Sequence, residues 1–307
     1  MKILACPGCQ TGVSAKLVEH SGSYDLCLCP RCELTFCDPM RAGNPDFYEA
    51  NTEYDQKWEF QFVLPEFTRL GLSGSLLDVG CGDGRFLSGV GKEFTVTGLD
   101  FNPSAIRTAQ AERGLMDVHC ETLEEFSRRP RPKPYDVITV FHILEHVEDP
   151  NGFLACIKKC LRPGGVLAAS VPNPYRWTLR WIRETWDYPP HHLTRWMPHT
   201  LKNLLERQGF EIVEMCREPL QTFNQFLNCC RDIAWTIALG HSAAENVARP
   251  VDPPHRTWVR STLSKLKGQV IKWLPALFAV ALYPGIRLGR CEGKSLLVIA
   301  RIRVPLK

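Results

Sequence analysis

The stretch Leu77-Asp78-Val79-Gly80-Cys81-Gly82-Asp83-Gly84 decides the fold class of this chain. An apolar run typical of a buried strand leads into three glycines at alternate positions, and a helical pattern follows. Glycine allows positive φ angles and lets the backbone approach a ligand closely. Asp100 ends the next apolar run, twenty residues after Gly80, where a carboxylate can accept hydrogen bonds from both hydroxyls of a ribose. The pattern therefore predicts a nucleoside site at a strand-to-helix turn.

The spacing of the glycines separates two classes of nucleoside-binding protein. The dinucleotide fingerprint is Gly-x-Gly-x-x-Gly, but position 85 is arginine and the spacing here is Gly-x-Gly-x-Gly. This order disfavours a nicotinamide enzyme. It resembles the first motif of class I S-adenosylmethionine-dependent methyltransferases, in which an acidic residue two places before the first glycine completes the pattern. Asp78 occupies that place.

Short apolar runs alternate with helical patterns along the middle of the chain. The runs are 76–79, 94–99, 116–120, 136–140 and 165–171, and further strand candidates are 210–216 and 295–304. An amphipathic helix is expected over 55–70, before the first of these strands. Such alternation implies crossover connections and a parallel sheet. The expected fold is α/β, with a doubly wound, mostly parallel, Rossmann-like sheet of seven strands.

The resemblance to class I methyltransferases covers roughly residues 55–216 and the last strand. Tyr135-Asp136-Val137-Ile138 followed by Phe141-His142-Ile143-Leu144-Glu145-His146-Val147 is similar to the fourth-strand motif of that family. Leu161-Arg162-Pro163-Gly164-Gly165 is similar to the turn before its fifth strand. Ubiquinone-biosynthesis-like methyltransferases are the nearest in pattern. The resemblance implies an enzyme that uses S-adenosylmethionine.

The same resemblance implies which residues contact the cofactor. Family members contact the adenine after the third strand, where this chain reads Cys120-Glu121-Thr122-Leu123. The cofactor residues implied are Asp78, Gly80, Gly82 and Asp100, with Cys81, Gly84, Phe101, Thr122 and Phe141 as neighbours. Cys81 could also be only a small filler in the loop.

Two histidines after the fourth strand are candidate catalytic residues. His142 and His146 follow the carboxyl end of that strand, where open α/β sheets bind ligands. Their i, i+4 spacing predicts one shared helix face. An imidazole titrates near neutral pH and can deprotonate an acceptor, although either ring could instead cap or pack against the sheet. The run His-x-x-Glu-His also matches an inverted zinc-peptidase signature, but no clear third ligand is present and the glycine loop favours methyl transfer.

Two more candidate catalytic histidines, His191 and His192, lie in the segment 187–196. Its prolines predict a loop, and a loop after the fifth strand commonly covers this type of site. With Arg195 and Trp196, the two histidines would line an acceptor pocket. The alternative is a structural loop docked by its aromatic side chains. The His-His pair also suggests a metal ligand, but two adjacent histidines alone do not make a site.

Two cysteine pairs near the start of the chain predict a zinc ribbon. Cys6-Pro7-Gly8-Cys9 and Cys29-Pro30-Arg31-Cys32 are separated by nineteen residues, which is typical of a four-cysteine zinc site. The apolar content of this region is small, so structural zinc bound by Cys6, Cys9, Cys29 and Cys32 would supply folding free energy. Cys27 or Cys37 could replace one of the four.

These patterns predict five consecutive regions. They are a zinc ribbon at 1–40, a linker and lead-in helix at 41–72, the methyltransferase core at 73–216, a helical and partly apolar insertion at 217–294, and a last core strand at 295–307.

Positive charge is concentrated at the end of the chain. The formal net charge is +4, yet Val251–Lys307 carries eleven Lys and Arg residues against only Asp252 and Glu292. This predicts an anionic surface or an acidic substrate as a neighbour. Trp273–Ile286 is uncharged over fourteen residues, whereas a spanning helix needs about twenty. Its basic flanks and terminal aromatics predict a peripheral membrane contact over 265–290; a buried helix or a dimer contact is the alternative.

The expected reaction is methyl transfer to a small-molecule or lipid-linked acceptor, at an oxygen atom. The scattered cysteines and the lack of an apolar leader after Met1 predict reduced thiols and a cytoplasmic location, peripheral at the inner face of the membrane. A nucleic-acid methyltransferase, gripping its substrate through the ribbon and the basic tail, is disfavoured. Its Asn/Asp-Pro-Pro-Tyr/Phe signature is missing after the fourth strand. A non-enzymatic scaffold is disfavoured because the glycine loop and Asp100 are both retained.

Overall fold

The computed structural model describes residues 3–43, 57–129, 134–180, 184, 187–220, 226–231, 233, 279–280, 283 and 292–304. Most of the predicted membrane contact over 265–290 and most of the predicted insertion therefore lie outside the described residues. The chain divides into two units. One comprises Met1–Pro172, Pro189–Cys216 and Ser295–Lys307, and the other Asn173–Tyr188 and Arg217–Lys294. Among the described residues, no helix combines the length and the apolar character needed to cross a bilayer.

Strands and helices alternate along the chain from residue 58 onward. The strands are β1 (Ile3–Ala5), β2 (Gly12–Ser14), β3 (Lys16–Ser21), β4 (Tyr24–Leu28), β5 (Thr35–Asp38), β6 (Gly74–Val79), β7 (Phe94–Asp100), β8 (Val118–Cys120), β9 (Tyr135–Phe141), β10 (Leu161–Pro172), β11 (Thr194–Arg195), β12 (Phe210–Pro219) and β13 (Glu292–Ile302). The α-helices are α1 (Trp58–Arg69), α2 (Pro103–Arg113), α3 (Leu123–Ser127), α4 (Pro150–Cys160) and α5 (Pro198–Arg207). Short 3₁₀ turns lie at Leu87–Gly89, Leu144–His146 and Trp177–Arg180.

A seven-stranded sheet has the strand order β12–β13–β10–β9–β6–β7–β8. The neighbours from β10 to β8 are parallel, and β13 pairs antiparallel with β10. The central strands are continuous apolar runs because both faces of the sheet are covered. The predicted doubly wound, mostly parallel sheet is confirmed.

Helices cover both faces of this sheet, and alternate strand residues point to each side. On one face, Val63 and Phe67 of α1 and Ile106 of α2 share a buried cluster with Leu76 and Val137. On the opposite face, side chains of α3, α4 and α5 join a second cluster that contains Leu77 and Ile138. Because successive side chains of a strand alternate in direction, neighbouring residues belong to different clusters.

The N-terminal region forms a small β-structure that takes up one strand from elsewhere. β1 pairs with β2, and β3, β4 and β5 form an antiparallel sheet that β11 joins at its edge. Thr194 pairs with Phe36, and the Cys37 N–H donates to the Leu193 carbonyl oxygen at 2.9 Å. The segment 187–196, predicted as a loop, thus contains a two-residue strand.

Backbone carbonyls of the cysteine pairs anchor this region to the sheet domain. The Asn151 side-chain amide donates to the Pro7 oxygen at 2.5 Å, and the Thr200 hydroxyl donates to the Cys32 oxygen at 2.8 Å. Arg207 donates to the Gly8 oxygen. Trp196, only 1% exposed, belongs to the same buried cluster as Phe36. The N-terminal region and the sheet therefore share one core.

The second unit has its own ion pairs and a small apolar cluster. The Arg176 guanidinium pairs with Glu184 at 2.9 Å and with Asp187. The rings of Trp177 and Phe226 lie 4.9 Å apart within that cluster.

Candidate active site

The glycine loop turns tightly at the carboxyl end of β6. The N–H groups of Gly80 and Cys81 both donate to the Leu99 oxygen, at 2.7 and 2.9 Å. Gly80, Gly82 and Gly84 have φ angles of 78°, 53° and 76°. Residues with a Cβ rarely adopt such angles. The alternate glycines are therefore required by the backbone path itself.

Asp100 orients its carboxylate through two backbone contacts. Its Oδ2 accepts from the Gly82 N–H and its Oδ1 from the Asn102 N–H, both at 2.8 Å. A carboxylate oxygen has two lone pairs, so each oxygen can accept one more hydrogen bond from a ligand. Burial raises the pKa of Asp100, against the lowering effect of these N–H donors.

Asp78 lies at the bottom of the same site. Its side chain is buried, and its Oδ1 accepts from the Thr139 hydroxyl at 2.6 Å. Burial raises the pKa of Asp78 to about 7, and the negative charge of Asp100 adds to the increase. Two desolvated carboxylates favour a positively charged ligand. S-adenosylmethionine, with a sulfonium and an ammonium group, satisfies this demand.

A cavity of about 1160 Å³ opens beside the loop and lies within the first unit. The predicted cofactor residues that line it are Asp78, Gly80, Cys81, Asp100, Phe101, Thr122 and Phe141. Three phenyl rings form an apolar wall, because Phe60 and Phe86 pack against Phe141 with ring centroids 5.7 and 5.1 Å away. The volume and the mixed lining are typical of a small-molecule site.

Two predicted cofactor residues do not line the cavity. Gly82 acts through its N–H, which fixes the Asp100 carboxylate. A Cβ on Gly84 would lie 2.3 Å from Leu115 Cδ1 and 3.1 Å from Ala109 Cβ. Gly84 thus permits close packing of the loop against α2 and the residues that follow it.

Thr122 lines the cavity and also begins a helix. Its hydroxyl accepts from the Glu125 N–H at 3.2 Å, and the Glu125 carboxylate accepts from the Thr122 N–H at 2.9 Å. This is a capping box. The local structure therefore explains this threonine whether or not it also contacts the cofactor.

One pair that holds the loop was missed from the sequence. Asp83 accepts from Arg113 Nη2 at 2.5 Å, and Arg113 Nε donates to the Asp83 backbone oxygen at 2.7 Å. The pair joins the glycine loop to the last turn of α2. No sequence rule links an acid inside the loop to an arginine thirty residues later.

His142 lies between two buried carboxylates. Its Nε2 donates to Glu59 Oε1 at 2.6 Å and lies 3.1 Å from Ser295 Oγ, and its Nδ1 lies 3.3 Å from Glu145 Oε1. Its φ angle is 57°, a left-handed conformation that is uncommon for a residue with a side chain. The predicted shared helix face of His142 and His146 is wrong, because only a 3₁₀ turn at Leu144–His146 follows β9.

These contacts set the charges of the three groups. Burial opposes protonation of His142, but Glu59 and Glu145 outweigh it and raise its pKa to about 9. Burial also opposes ionisation of both acids, yet the imidazolium outweighs it and lowers the pKa of Glu59 and of Glu145 to about 2. At neutral pH His142 is thus a charged partner of two carboxylates.

His146, His191 and His192 come together on the wall of the cavity. The ring centroid of His146 lies 4.5 Å from that of His191 and 4.8 Å from that of His192, and the latter two lie 4.7 Å apart. Burial lowers the pKa of His146 to about 4, and the neighbouring His192 adds to this, against the raising effect of Glu145. The Leu193 N–H donates to the backbone carbonyl oxygen of Glu145 at 2.8 Å, which fixes the loop to the turn that follows β9.

Other members of the predicted acceptor pocket lie elsewhere. Trp196 belongs to the buried core and does not line the cavity, and Arg195 lies in β11. The peptidase alternative requires His142 and His146 to share a metal. Among the described residues, the histidines that could share one are His146, His191 and His192, and His142 is not with them.

The four predicted zinc ligands cluster near the N-terminus. Cys6 Sγ lies 3.6 Å from Cys32 Sγ, and Cys9 Sγ lies 3.8 Å from Cys29 Sγ. Four thiolates at about 2.3 Å from a tetrahedral zinc are about 3.8 Å apart, so the group fits this ion. The hydrogen bond with Cys6 lowers the pKa of Cys32 to about 5 and thereby favours a thiolate.

The two alternative cysteine ligands lie outside this group of four. The Cys37 thiol donates to the Pro39 oxygen at 3.0 Å. Cys27 lies in β4, where it pairs with Phe36 of β5.

Comparison with known proteins agrees with this geometry. A family model described as "Methyltransferase domain" matches residues 48–215, which is more than half of the chain. The chain belongs to this methyltransferase family. The class I fold expected from the glycine loop is thereby confirmed, and the chain is a methyltransferase by family.

Named relatives match the chain over part of their length. Ubiquinone biosynthesis O-methyltransferase of Pasteurella multocida is 38% identical over 117 residues, 34% of this chain and 48% of that protein. The protein of the same name from Caulobacter sp. strain K31 is 32% identical over 158 residues, 49% of this chain and 61% of that protein. The chain thus spans about half the length of the first relative and under two thirds of the second.

A solved structure is also similar. A SAM-dependent methyltransferase from Archaeoglobus fulgidus has a TM-score of 0.46 and 18% identity, covering 79% of this chain and 94% of that one.

The Glu59→Gln variant tests the buried ion pair. Loss of the charge leaves His142 with Glu145 alone, so we expect the free energy of unfolding to fall by about 3 kcal/mol at pH 7, the lower end for a broken buried pair. The stability that His142 contributes is complete below its ordinary pKa of 6.5 and is lost as the pH rises through about 9. The difference between wild type and variant should therefore narrow between pH 7 and pH 9.5 in urea titrations.

Glu66→Gln is the matched control on the same helix. Glu66 pairs with the exposed Arg69 at 2.6 Å, and exposed pairs contribute little, so its stability should match that of wild type. If the difference in free energy of unfolding between wild type and Glu59→Gln stayed constant with pH, a protonated His142 would be contradicted.

Proposed function

We propose that this protein transfers a methyl group from S-adenosylmethionine to a hydroxyl oxygen of a small-molecule or lipid-linked acceptor. The observation that carries the proposal is one continuous cavity, lined by Gly80 and Asp100 and also by the three clustered histidines. The proposed cofactor residues and the proposed proton acceptor thus line the same cavity. Much of the catalysis of methyl transfer is the alignment of two bound reactants.

The cofactor would be held by the residues around the glycine loop. Asp100 would accept hydrogen bonds from the ribose hydroxyls through the lone pairs that Gly82 and Asn102 leave available. Asp78 and Asp100 would balance its positive charge. Thr122 and Phe101 lie where the resemblance places the adenine. S-adenosylmethionine bound there would supply the electrophilic methyl group.

The acceptor would bind in the part of the cavity that is lined by His146, His191 and His192. His146 is neutral at physiological pH, because its pKa is lowered to about 4, and its Nε2 can take the proton of an acceptor hydroxyl. Glu145 Oε1 lies 3.9 Å from this nitrogen and would stabilise the resulting imidazolium. His142 is already charged, so its role is to orient Glu145. His191 and His192 would position the acceptor oxygen.

The acceptor class is inferred from two further features. Named relatives are ubiquinone biosynthesis O-methyltransferases, which favours a ring hydroxyl on a lipid-like molecule. The predicted membrane contact over 265–290 suits such an acceptor, and it remains a prediction from the sequence because these residues lie almost entirely outside the described structure. The five predicted regions, with the methyltransferase core at 73–216, stay predictions.

We also propose that Cys6, Cys9, Cys29 and Cys32 hold one structural zinc ion. Backbone carbonyl oxygens within the two cysteine pairs accept hydrogen bonds from the sheet domain. They belong to Pro7, Gly8 and Cys32. Zinc would therefore stabilise both the N-terminal region itself and the contacts that join it to the sheet domain.

The Asp100→Asn variant tests the cofactor site. The amide loses the charge and half of the accepting capacity, so the Kd for S-adenosylmethionine should rise at least about tenfold in calorimetric titration. Glu112→Gln, on the exposed side of α2, should bind as wild type does. Failure of folded wild-type protein to bind the cofactor, or equal binding by Asp100→Asn, would sink the proposal.

His146→Ala tests the proton acceptor. With phenols and lipid-linked sugars as candidate acceptors, methyl ether formation by wild type should be detected by mass spectrometry. The variant should be slower by about 10²- to 10⁴-fold with unchanged cofactor affinity. His20→Ala, at an exposed position in β3, is the control. Unimpaired turnover by His146→Ala would remove its role as base.

Cys29→Ala tests the zinc site. The variant should lose one zinc ion per chain by atomic emission and should unfold at lower temperature, because metal binding contributes folding free energy. Cys37→Ala removes a neighbouring buried thiol that is not in the group of four, and it should keep its zinc. Equal zinc contents in both variants would contradict the assignment.

A further inference from the structure

We propose that His146, His191 and His192 form a second metal site, which binds a divalent transition-metal ion at the wall of the cavity. This three-histidine site is separate from the four cysteines. Its occupancy is independent of the proposed methyl transfer, whereas any use in catalysis rests on it.

The ligand atoms lie close enough to converge. One ring nitrogen from each histidine lies within 4.8 Å of the others. Zinc–nitrogen bonds of about 2.0–2.1 Å place tetrahedral ligands about 3.4 Å apart. Rotation of the imidazole rings about their side-chain bonds can bring the three nitrogens to this shorter spacing.

A backbone contact prepares His146 for this role. Its Nδ1 lies 2.7 Å from the His191 carbonyl oxygen. A carbonyl oxygen only accepts hydrogen bonds, so Nδ1 carries the proton and Nε2 keeps a lone pair. Metal-binding histidines commonly donate their second N–H to a carbonyl in this way, which fixes both the tautomer and the ring orientation.

A buried carboxylate behind the ring supplies the second independent observation. Glu145 is fully buried, and its Oε2 has no hydrogen-bond donor among the described residues, whereas Oε1 lies 3.3 Å from His142 Nδ1. Its Oε1 lies 3.9 Å from His146 Nε2. A cation at the three histidines would lie beside this buried carboxyl group.

The two segments that carry the histidines are fixed relative to each other. The Leu193 N–H donates to the backbone carbonyl oxygen of Glu145, and Thr194 pairs with Phe36 of β5. The site is thus organised before any ion arrives. Three protein ligands facing a cavity leave a coordination position open, as in catalytic rather than structural zinc sites.

The ligand set selects a class of ion. Neutral imidazoles suit zinc, iron, nickel and copper, whereas magnesium and calcium prefer oxygen ligands. An ion held there could bind an acceptor oxygen and lower its pKa. A metal bound at His146 Nε2 would occupy the lone pair assigned above to the proton acceptor. In the metal-bound protein the ion would therefore replace this imidazole in promoting loss of the acceptor proton, which would pass to solvent.

Cobalt titration of the full-length protein tests the site. After dialysis against a chelator, with the remaining zinc measured, Co²⁺ is added and the visible and near-ultraviolet spectra are recorded. We expect one Co²⁺ per chain with visible d–d bands and no new thiolate-to-cobalt charge-transfer band. The absence of that band distinguishes the histidine site from the cysteine site.

Two single variants and one control complete the test. His191→Gln and His192→Gln should each raise the Kd for Co²⁺ by more than about tenfold, while zinc content and thermal unfolding remain those of wild type. The control is His119→Ala: His119 lies in β8, its side chain contacts Asp117, and the variant should bind Co²⁺ as wild type does. Two singles are used so that a folding defect in one leaves the other informative.

The outcomes separate this site from the proposed function. No Co²⁺ binding by folded wild type, unchanged affinity in both glutamine variants, or a thiolate band as the only signal would overturn the metal site. Calorimetry with S-adenosylmethionine on the same samples reports the cofactor site independently. Metal binding without cofactor binding would therefore retain this inference and reject the proposed transfer.

Discussion

Backbone pairing between β6 and its two neighbours places Val79 beside both Leu99 and Val140. All three strands are parallel, so their carboxyl ends meet at one edge and their polar continuations converge there. Asp100 ends one strand, and the glycine loop and His142 follow the other two. A shift of one residue between β6 and β7 would separate the Asp100 carboxylate from the Gly82 N–H that orients it. The cofactor side of the cavity thus depends on strand pairing more than on any single side chain.

Features encoded by local pattern were predictable from the sequence. The glycine spacing, the acid at the end of the next strand and the paired cysteines each follow from short-range chemistry. The seven-stranded sheet follows from the alternation of apolar runs with helical patterns. Long-range contacts carried no such signal. Glu59 meets His142 across 83 residues and His146 meets His191 across 45, and no spacing rule connects such pairs.

Errors in the sequence interpretation have a common physical origin. His142 and His146 have helical spacing, but β9 is followed by His142 in a left-handed conformation and then by one 3₁₀ turn. No α-helix forms there, so the two side chains do not share a helix face. Trp196 looked like a pocket residue because aromatics beside histidines often line sites. Its side chain instead packs in the core that the N-terminal region shares with the sheet. Burial of its large apolar surface stabilises the fold more there than partial exposure in a pocket would. In both cases tertiary packing outweighed a local pattern.

The two-residue strand β11 has a consequence for how this protein can move. Its residues Thr194 and Arg195 immediately follow the histidine pair, and they are hydrogen-bonded into the edge of the ribbon sheet. Opening the loop outward would break that ladder and leave backbone donors and acceptors of both strands without partners. Strand β11 therefore holds the segment that carries His191 and His192 against the N-terminal sheet. A chain that lacked residues 1–43 would leave β11 without its partner strand and this segment without that backbone pairing.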